Sequence, residues 1–265
     1  MDYDVFIKCK GELFMNPVIV RNVKIGEGIP KICVPIVGRT RNEIIDEAKE
    51  ILALPADLVE WRADWFENVF DFEQVKSVLN SLREILGKKP VLFTFRTAKE
   101  GGERTIEDIT YIALNKVAAE SGKVDLLDVE LFAGDTVVDE VLNIAHQNHV
   151  KVIVSNHDFE KTPSKEEMIS RLQKMEEMGA DILKIAVMPK SSKDVLTLLS
   201  TTEEMHELTE KPVVTMSMSD IGVVSRVSGE LFGSAITFGA AGKASAPGQI
   251  PAEELRNVLE ILHYC

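Results

Sequence analysis

No apolar run in this chain approaches the ~20 residues that a membrane-spanning helix requires, and the N-terminus lacks a charged start followed by an apolar signal core. The expectation is a soluble, cytoplasmic protein. Basic charge is also scarce: 30 Lys and Arg stand against 43 Asp and Glu, a formal net charge of −13. That balance argues against general binding to nucleic acid or anionic membranes, which needs a basic face. It leaves an anionic small substrate open, because a few local arginines can dominate a pocket. The three cysteines, Cys9, Cys33 and Cys265, are odd in number, far apart and form no CxxC pair, so a reducing compartment is the simpler reading. No linker, low-complexity tract or repeat-length insertion divides the 265 residues, which suit one α/β barrel domain.

What the chain does have is an alternation. Apolar, β-branched runs occur at Lys31 to Val37, Asp57 to Arg62, Pro90 to Arg96, Asp125 to Glu130, Lys151 to Ser155, Asp181 to Ile185, Pro212 to Met216 and Ala235 to Phe238. Between them lie helical stripes. Ile44, Ile45, Ala48, Ile51 and Leu52 form one, and Met168, Leu172, Met175 and Met178 another. Thr40 with Glu43, and Ser164 with Glu167, each predict a capping box, while Gly87 and Gly179 read as helix stops. Eight strand-helix units imply parallel pairing. They predict a (β/α)8 TIM barrel, because no Rossmann glycine fingerprint follows the first strand. The first thirty residues, with the turn-rich Gly26-Glu27-Gly28-Ile29-Pro30, predict a β-hairpin closing the barrel floor.

In such a barrel the active site lies at the C-terminal strand ends, so polar residues there carry weight. Lys184 is the sharpest, a charge set among Ile182, Leu183, Ile185 and Ala186. It reads either as a lysine paired with Asp128 or Glu130 or as a nucleophilic amine of the barrel interior, where desolvation and neighbouring cations favour the neutral form. His157, just past the fifth predicted strand, is placed to move protons near neutral pH. Arg62, Arg96 and Arg226 would together suit a carboxylate or phosphate, with Glu60 and Glu100 orienting them or binding hydroxyls. The pair His146-x-x-His149 has metal-like spacing but no third ligand nearby and reads as a surface pair.

Taken in order, these strand ends resemble one known family. Ile25-Gly26-Glu27-Gly28, Glu60-Trp61-Arg62-Ala63-Asp64, Thr94-Phe95-Arg96-Thr97 with Glu100-Gly101-Gly102, Asp128-Val129-Glu130-Leu131, Ser155-Asn156-His157-Asp158-Phe159, Lys184-Ile185-Ala186, Met216-Ser217-Met218 with Ser225-Arg226, and Ala246-Pro247-Gly248-Gln249 together look like type I 3-dehydroquinate dehydratase of the shikimate pathway. The likeness runs from about Val23 to Pro251. It implies that Lys184 forms a Schiff base with 3-dehydroquinate and that His157 is the general acid and base, oriented by Glu100. By the same likeness Arg226, Ser245 and Gln249 bind the substrate's carboxylate and hydroxyls, and Glu60, Arg62 and Arg96 form the opposite wall. It further implies syn elimination of water, no cofactor, no metal, a homodimer, and a lid over about residues 239–249. Pro35 departs from the pattern, standing where some members have a serine. A class I Schiff-base aldolase remains the alternative, for which Gly233 and Gly239 are the nearest phosphate-turn candidates. A third reading is a barrel that binds an anionic metabolite without turnover.

Overall fold

The computed structural model describes residues 16–242 and 245–263; Cys9, Cys265, Lys243 and Ala244 lie outside them. Strands β1 (Val18–Val20) and β2 (Val23–Ile25) pair antiparallel as a hairpin, Val18 opposite Ile25. Eight parallel strands follow: β3 (Lys31–Ile36), β4 (Leu58–Arg62), β5 (Val91–Thr94), β6 (Leu126–Glu130), β7 (Lys151–Asp158), β8 (Ile182–Val187), β9 (Val213–Ser217) and β10 (Ile236–Ala240). A short β11 (Ile250–Pro251) adds to β10. The ladder runs from β10 through β3 and on to β9. It closes where the Ala235 N–H donates to Val213 O at 2.8 Å and the Thr215 N–H donates to Ser234 Oγ at 3.1 Å. The sheet is a (β/α)8 barrel, as the alternation predicts.

Several strand ends differ from expectation by one to three residues, and two of the differences bear on the site. β7 runs three residues further, because Asn156, His157 and Asp158 stay in register with Ile185, Ala186 and Val187 of β8. His157 is therefore a strand residue rather than a loop residue. β5 stops at Thr94, since carboxylates take over from the ladder: the Arg96 N–H donates to Asp64 Oδ1 and the Thr97 N–H to Glu130 Oε1.

The helices follow from their caps and stripes. Thr40 and Glu43 form the full capping box of helix Arg41–Ile51, where Ile44, Ala48 and Ile51 are buried and Leu52 falls outside the stripe, exposed. Ser164 accepts from the Glu167 N–H, but the Glu167 carboxylate turns to Arg171 instead of closing a box on helix Lys165–Glu177.

Period-2 alternation sorts the strands into two faces. Ile32, Val34, Ile36, Val59, Trp61, Val129, Val154 and Leu183 point outward under the helices. Cys33, Leu58, Leu92, Leu126, Ile153, Ile182, Val214 and Ile236 point inward as a floor, joined by Val18, Val20 and Ile25 of the hairpin. Each such buried aliphatic contributes about 1.5–3 kcal/mol against chain entropy. Every inward residue two positions beyond this floor sits one layer nearer the C-terminal mouth, and that layer is where polarity begins.

Candidate active site

Above the floor the inward positions read Pro35, Glu60, Thr94, Asp128, Ser155, Lys184, Met216 and Phe238, and the next layer holds Arg62, Arg96, Glu130, His157, Ala186 and Met218. Lys184 is 3% exposed. Its Nζ donates to Asp128 Oδ2 at 2.9 Å and lies 4.7 Å from the centroid of the Phe238 ring. The lysine is thus both buried in the barrel interior and paired, since Asp128 reaches it from β6 across β7. Ser155 stands opposite Lys184 in register and His157 opposite Ala186. The imidazole and the amine therefore share the inner face of neighbouring strands, one pleat apart.

His157 is held from one side. Its Nδ1 lies 3.0 Å from Glu100 Oε2, which also accepts the His157 backbone N–H at 2.8 Å. Glu100 comes from a single 3-10 turn, Ala98–Glu100, after β5, and that turn needs its two following glycines. A Cβ on Gly102 would sit 1.9 Å from the Arg96 carbonyl oxygen, and one on Gly101, at φ +82°, 2.3 Å from the Phe159 ring. Burial, then the cations Arg96 and Lys184, push the imidazole well below its ordinary pKa, which favours the neutral ring. Burial raises Glu100 to about 7 despite the pull of Arg96.

The arginines differ in their commitments. Arg62 is bound through Nε and Nη2 to Asp64, 2.8 Å each. Arg96 donates to Asp128 at 2.6 Å, Glu130 at 3.0 Å and Ser155 at 3.1 Å. Burial opposes its charge, but Asp128, Glu130 and Glu100 outweigh it and hold its pKa high. The same partners, Arg96 before Lys184, keep buried Asp128 ionised far below the usual carboxylate range. Arg226, on the short helix Val223–Val227, is 1% exposed. It has no carboxylate partner among the described residues. Its Nη2 donates to Pro247 O at 2.8 Å, its Nε lacks any partner, and burial pulls its pKa down to about 10. It remains charged at pH 7, an unneutralised cation under the last loop.

Ser245, Ala246 and Gln249 of that loop line the pocket. Ser245 N–H donates to Gln249 Oε1 at 2.9 Å and Gln249 Nε2 to Ser245 Oγ at 3.0 Å, a small ring tying the two. Residues Lys243 and Ala244 of the expected lid lie outside the described part. The pocket, about 470 Å³ of empty space that is partly open to solvent, is lined by Glu60, Arg62, Arg96, Glu100, His157, Lys184, Ser245 and Gln249 among others. Eight of the nine expected residues thus line one pocket. Arg226 does not line it; it stands behind Pro247. Pro35 is buried beside Glu60 in register and does not line the pocket either. Met216, Met218, Phe238 and Phe159 line the pocket without having been singled out. The same two-residue step that picks out Lys184 from Ile182 picks out Met216 and Phe238. His146, the other candidate, is a surface residue bonded to Asp181 at 2.9 Å.

Known proteins resemble this chain in sequence and fold. The chain is 56% identical to 3-dehydroquinate dehydratase of Listeria monocytogenes serotype 4b over 94% of its length and 99% of the relative's. It is 57% identical to 3-dehydroquinate dehydratase of Clostridioides difficile, over 92% and 96%. A 1.95 Å crystal structure of type I 3-dehydroquinate dehydratase from Clostridium difficile, with covalent modified comenic acid, superposes with a TM-score of 0.92 at 56% identity, covering 94% of this chain and 98% of that one. The family model for type I 3-dehydroquinase matches residues 32–264. On sequence, fold and strand-end chemistry alike, the chain belongs to the type I 3-dehydroquinase family.

Proposed function

We propose that Lys184 and His157 carry the reaction of this chain, with Glu100 orienting His157. The chain is a lyase of the shikimate pathway that dehydrates 3-dehydroquinate. Lys184 Nζ, relieved of one ammonium proton by His157, adds to the C3 carbonyl; the oxygen leaves as water on taking that proton and a second one from the nitrogen, which gives a protonated imine. The imine withdraws electrons from the neighbouring C2–H bond. His157, with Nδ1 directed at Glu100, uses Nε2 to take that proton, leaving an enamine. The enamine electrons then expel the hydroxyl one carbon further on. The same imidazole returns the proton to that oxygen, so water departs from the face that lost hydrogen, a syn elimination. Hydrolysis of the imine consumes one water, releases 3-dehydroshikimate and frees Lys184.

The observation that carries this reading is the register of β7 and β8, which puts His157 and Lys184 on one inner face, one pleat apart. Arg226 supports the substrate assignment, because an unneutralised guanidinium under the lid suits a carboxylate. Glu60, whose Oε1 accepts from Thr94 Oγ1, with Arg62, Arg96, Ser245 and Gln249, forms the hydroxyl-binding wall. An aldolase acting on phosphosugars would need an open glycine turn. Gly233 already gives its N–H to Gly229 O at 2.8 Å, and Gly239 is a ladder residue of β10 opposite Ile250, which weighs against an anion at either. Homodimeric assembly and a cytoplasmic setting belong to the same reading and rest on the family. No helix among the described residues is long and apolar enough to cross a membrane.

Incubation with 3-dehydroquinate and borohydride, followed by peptide mass mapping, should place a reduced adduct on Lys184. Full turnover with Lys184 unmodified would eliminate the mechanism.

A further inference from the structure

Asn156 and Arg171 have no part in the chemistry above, yet both are joined to it. Asn156 precedes His157 on β7, so it points outward, away from the pocket and toward helix Lys165–Glu177. It is 2% exposed, and both ends of its amide are engaged. Its Nδ2 donates to Glu100 Oε1 at 3.1 Å, and its Oδ1 accepts from Arg171 Nη1 at 2.7 Å. A guanidinium can only donate, so it dictates which end of the amide faces it and which end is left for Glu100. Arg171 is itself fixed from three sides: by the Glu167 carboxylate, by Asp158 Oδ2 at 4.0 Å and by the face of Phe132 at 5.3 Å.

We propose that Arg171 and Asn156 are positioning residues for His157: the guanidinium locks the Asn156 amide so that it always donates to Glu100, which leaves Glu100 Oε2 to accept from Nδ1 and aims Nε2 into the pocket. This rests on the reading of His157 as the proton carrier. A free amide could turn its oxygen to Glu100, and that contact is favourable only if Glu100 carries a proton. Locked as it is, the amide favours the Glu100 carboxylate, and with it the His157 tautomer whose Nε2 is a base. The remaining groups facing Glu100 are Arg96 at 3.6 Å and Glu130. Those facing His157 are Arg96, Lys184, Asp128 and Arg62. None of these touches Asn156, so the amide is an independent lever on the dyad.

The sign follows directly. Loss of a donor to the carboxylate raises the proton affinity of the Glu100–His157 dyad, so the proton that blocks the base is lost only at higher pH. In Arg171→Met the acid limb of the kcat profile should move up by about one pH unit. On that acid limb, at a fixed pH below the wild-type midpoint, kcat should fall up to about tenfold while KM stays within about twofold, because Arg171 touches no substrate. Arg171→Lys, which keeps a charged donor, should recover most of the loss. A folded Arg171→Met with the wild-type limb and kcat, or one whose KM rises as far as kcat falls, overturns the proposal. If that variant does not fold, Asn156→Leu removes the amide without altering the helix, and an unmoved limb there is equally decisive. Borohydride trapping on wild type separates the two ideas: no Lys184 adduct sinks the imine mechanism, whereas an adduct with an unmoved limb sinks only the positioning role.

Discussion

A buried charge without a counter-ion costs folding free energy unless something repays it, and Arg226 is such a charge. Arg62 and Arg96 sit against carboxylates and are held in place whether or not the pocket is filled. Among the described residues the Arg226 guanidinium has the Pro247 carbonyl and a weak contact to the Met216 sulfur, and no carboxylate. Substituting it should therefore separate binding from stability. Arg226→Gln keeps a donor for Pro247 but removes the charge that a substrate carboxylate would meet. A charge-assisted hydrogen bond is worth ~1.5–3 kcal/mol, so kcat/KM should fall by about one to two orders of magnitude, chiefly through KM. The melting temperature should hold or rise, because the uncompensated charge is gone. An unchanged KM, or a marked loss of stability, would remove Arg226 from substrate binding. At this scale the sequence shows a good deal. Glu60, Lys184 and His157 stand out because polar residues interrupt apolar strands at two-residue spacing. It does not show that Asp64 neutralises Arg62 or that Asn156 reaches Glu100. Those contacts join residues 56 positions apart or lie across a turn whose path only tertiary packing sets.

The hairpin is the element whose role is least obvious from composition and most evident from packing. Strands β1 and β2 are three residues each, too short to be stable alone. They persist because Val18, Val20 and Ile25 sit on Leu58, Leu92, Leu126, Ile153 and Ile182 at the barrel floor. Arg21 adds an ion pair to Asp125 at 2.6 Å, partly exposed and so a minor contribution. Ile25 is fully buried. Ile25→Ala should cost about 2–5 kcal/mol, the range for buried aliphatics cut to alanine, with kcat/KM nearly unchanged because the polar layer lies above the floor. Urea unfolding midpoints and steady-state kinetics on the same variant check both halves. A loss of activity without loss of stability would mean that the floor and the site are coupled. The eight barrel strands are legible in sequence because each is an apolar run bounded by turn residues. Their ends are less so: β7 is lengthened by its neighbour and β5 shortened by carboxylates from other elements, neither of which local pattern records.

Closure is the property of the whole molecule on which the site depends, because a barrel interior is dry only if no seam admits water. Sequence periodicity predicts eight units but cannot distinguish a closed ring from an open sheet. Seven of the eight junctions are regular ladders. The eighth, β9 to β10, has only the Val213–Ser234 bridge, the Ala235 N–H on Val213 O and the side chain of Ser234. Ser234 Oγ accepts from the Thr215 N–H at 3.1 Å and can return its own hydrogen to Thr215 O at 3.4 Å. A side chain here substitutes for a ladder rung. Ser234→Ala leaves the Thr215 N–H buried and unpaired, which costs about 1–3 kcal/mol. If the seam is the weakest junction, the loss is not shared evenly. Hydrogen exchange at Thr215 and Ala235 should accelerate by one to two orders of magnitude more than at Val154 or Leu183, which lie in complete ladders on β7 and β8. Uniform acceleration across all strands would mean instead that the barrel opens only by global unfolding, and that the side-chain rung at the seam is as strong as the backbone rungs it replaces.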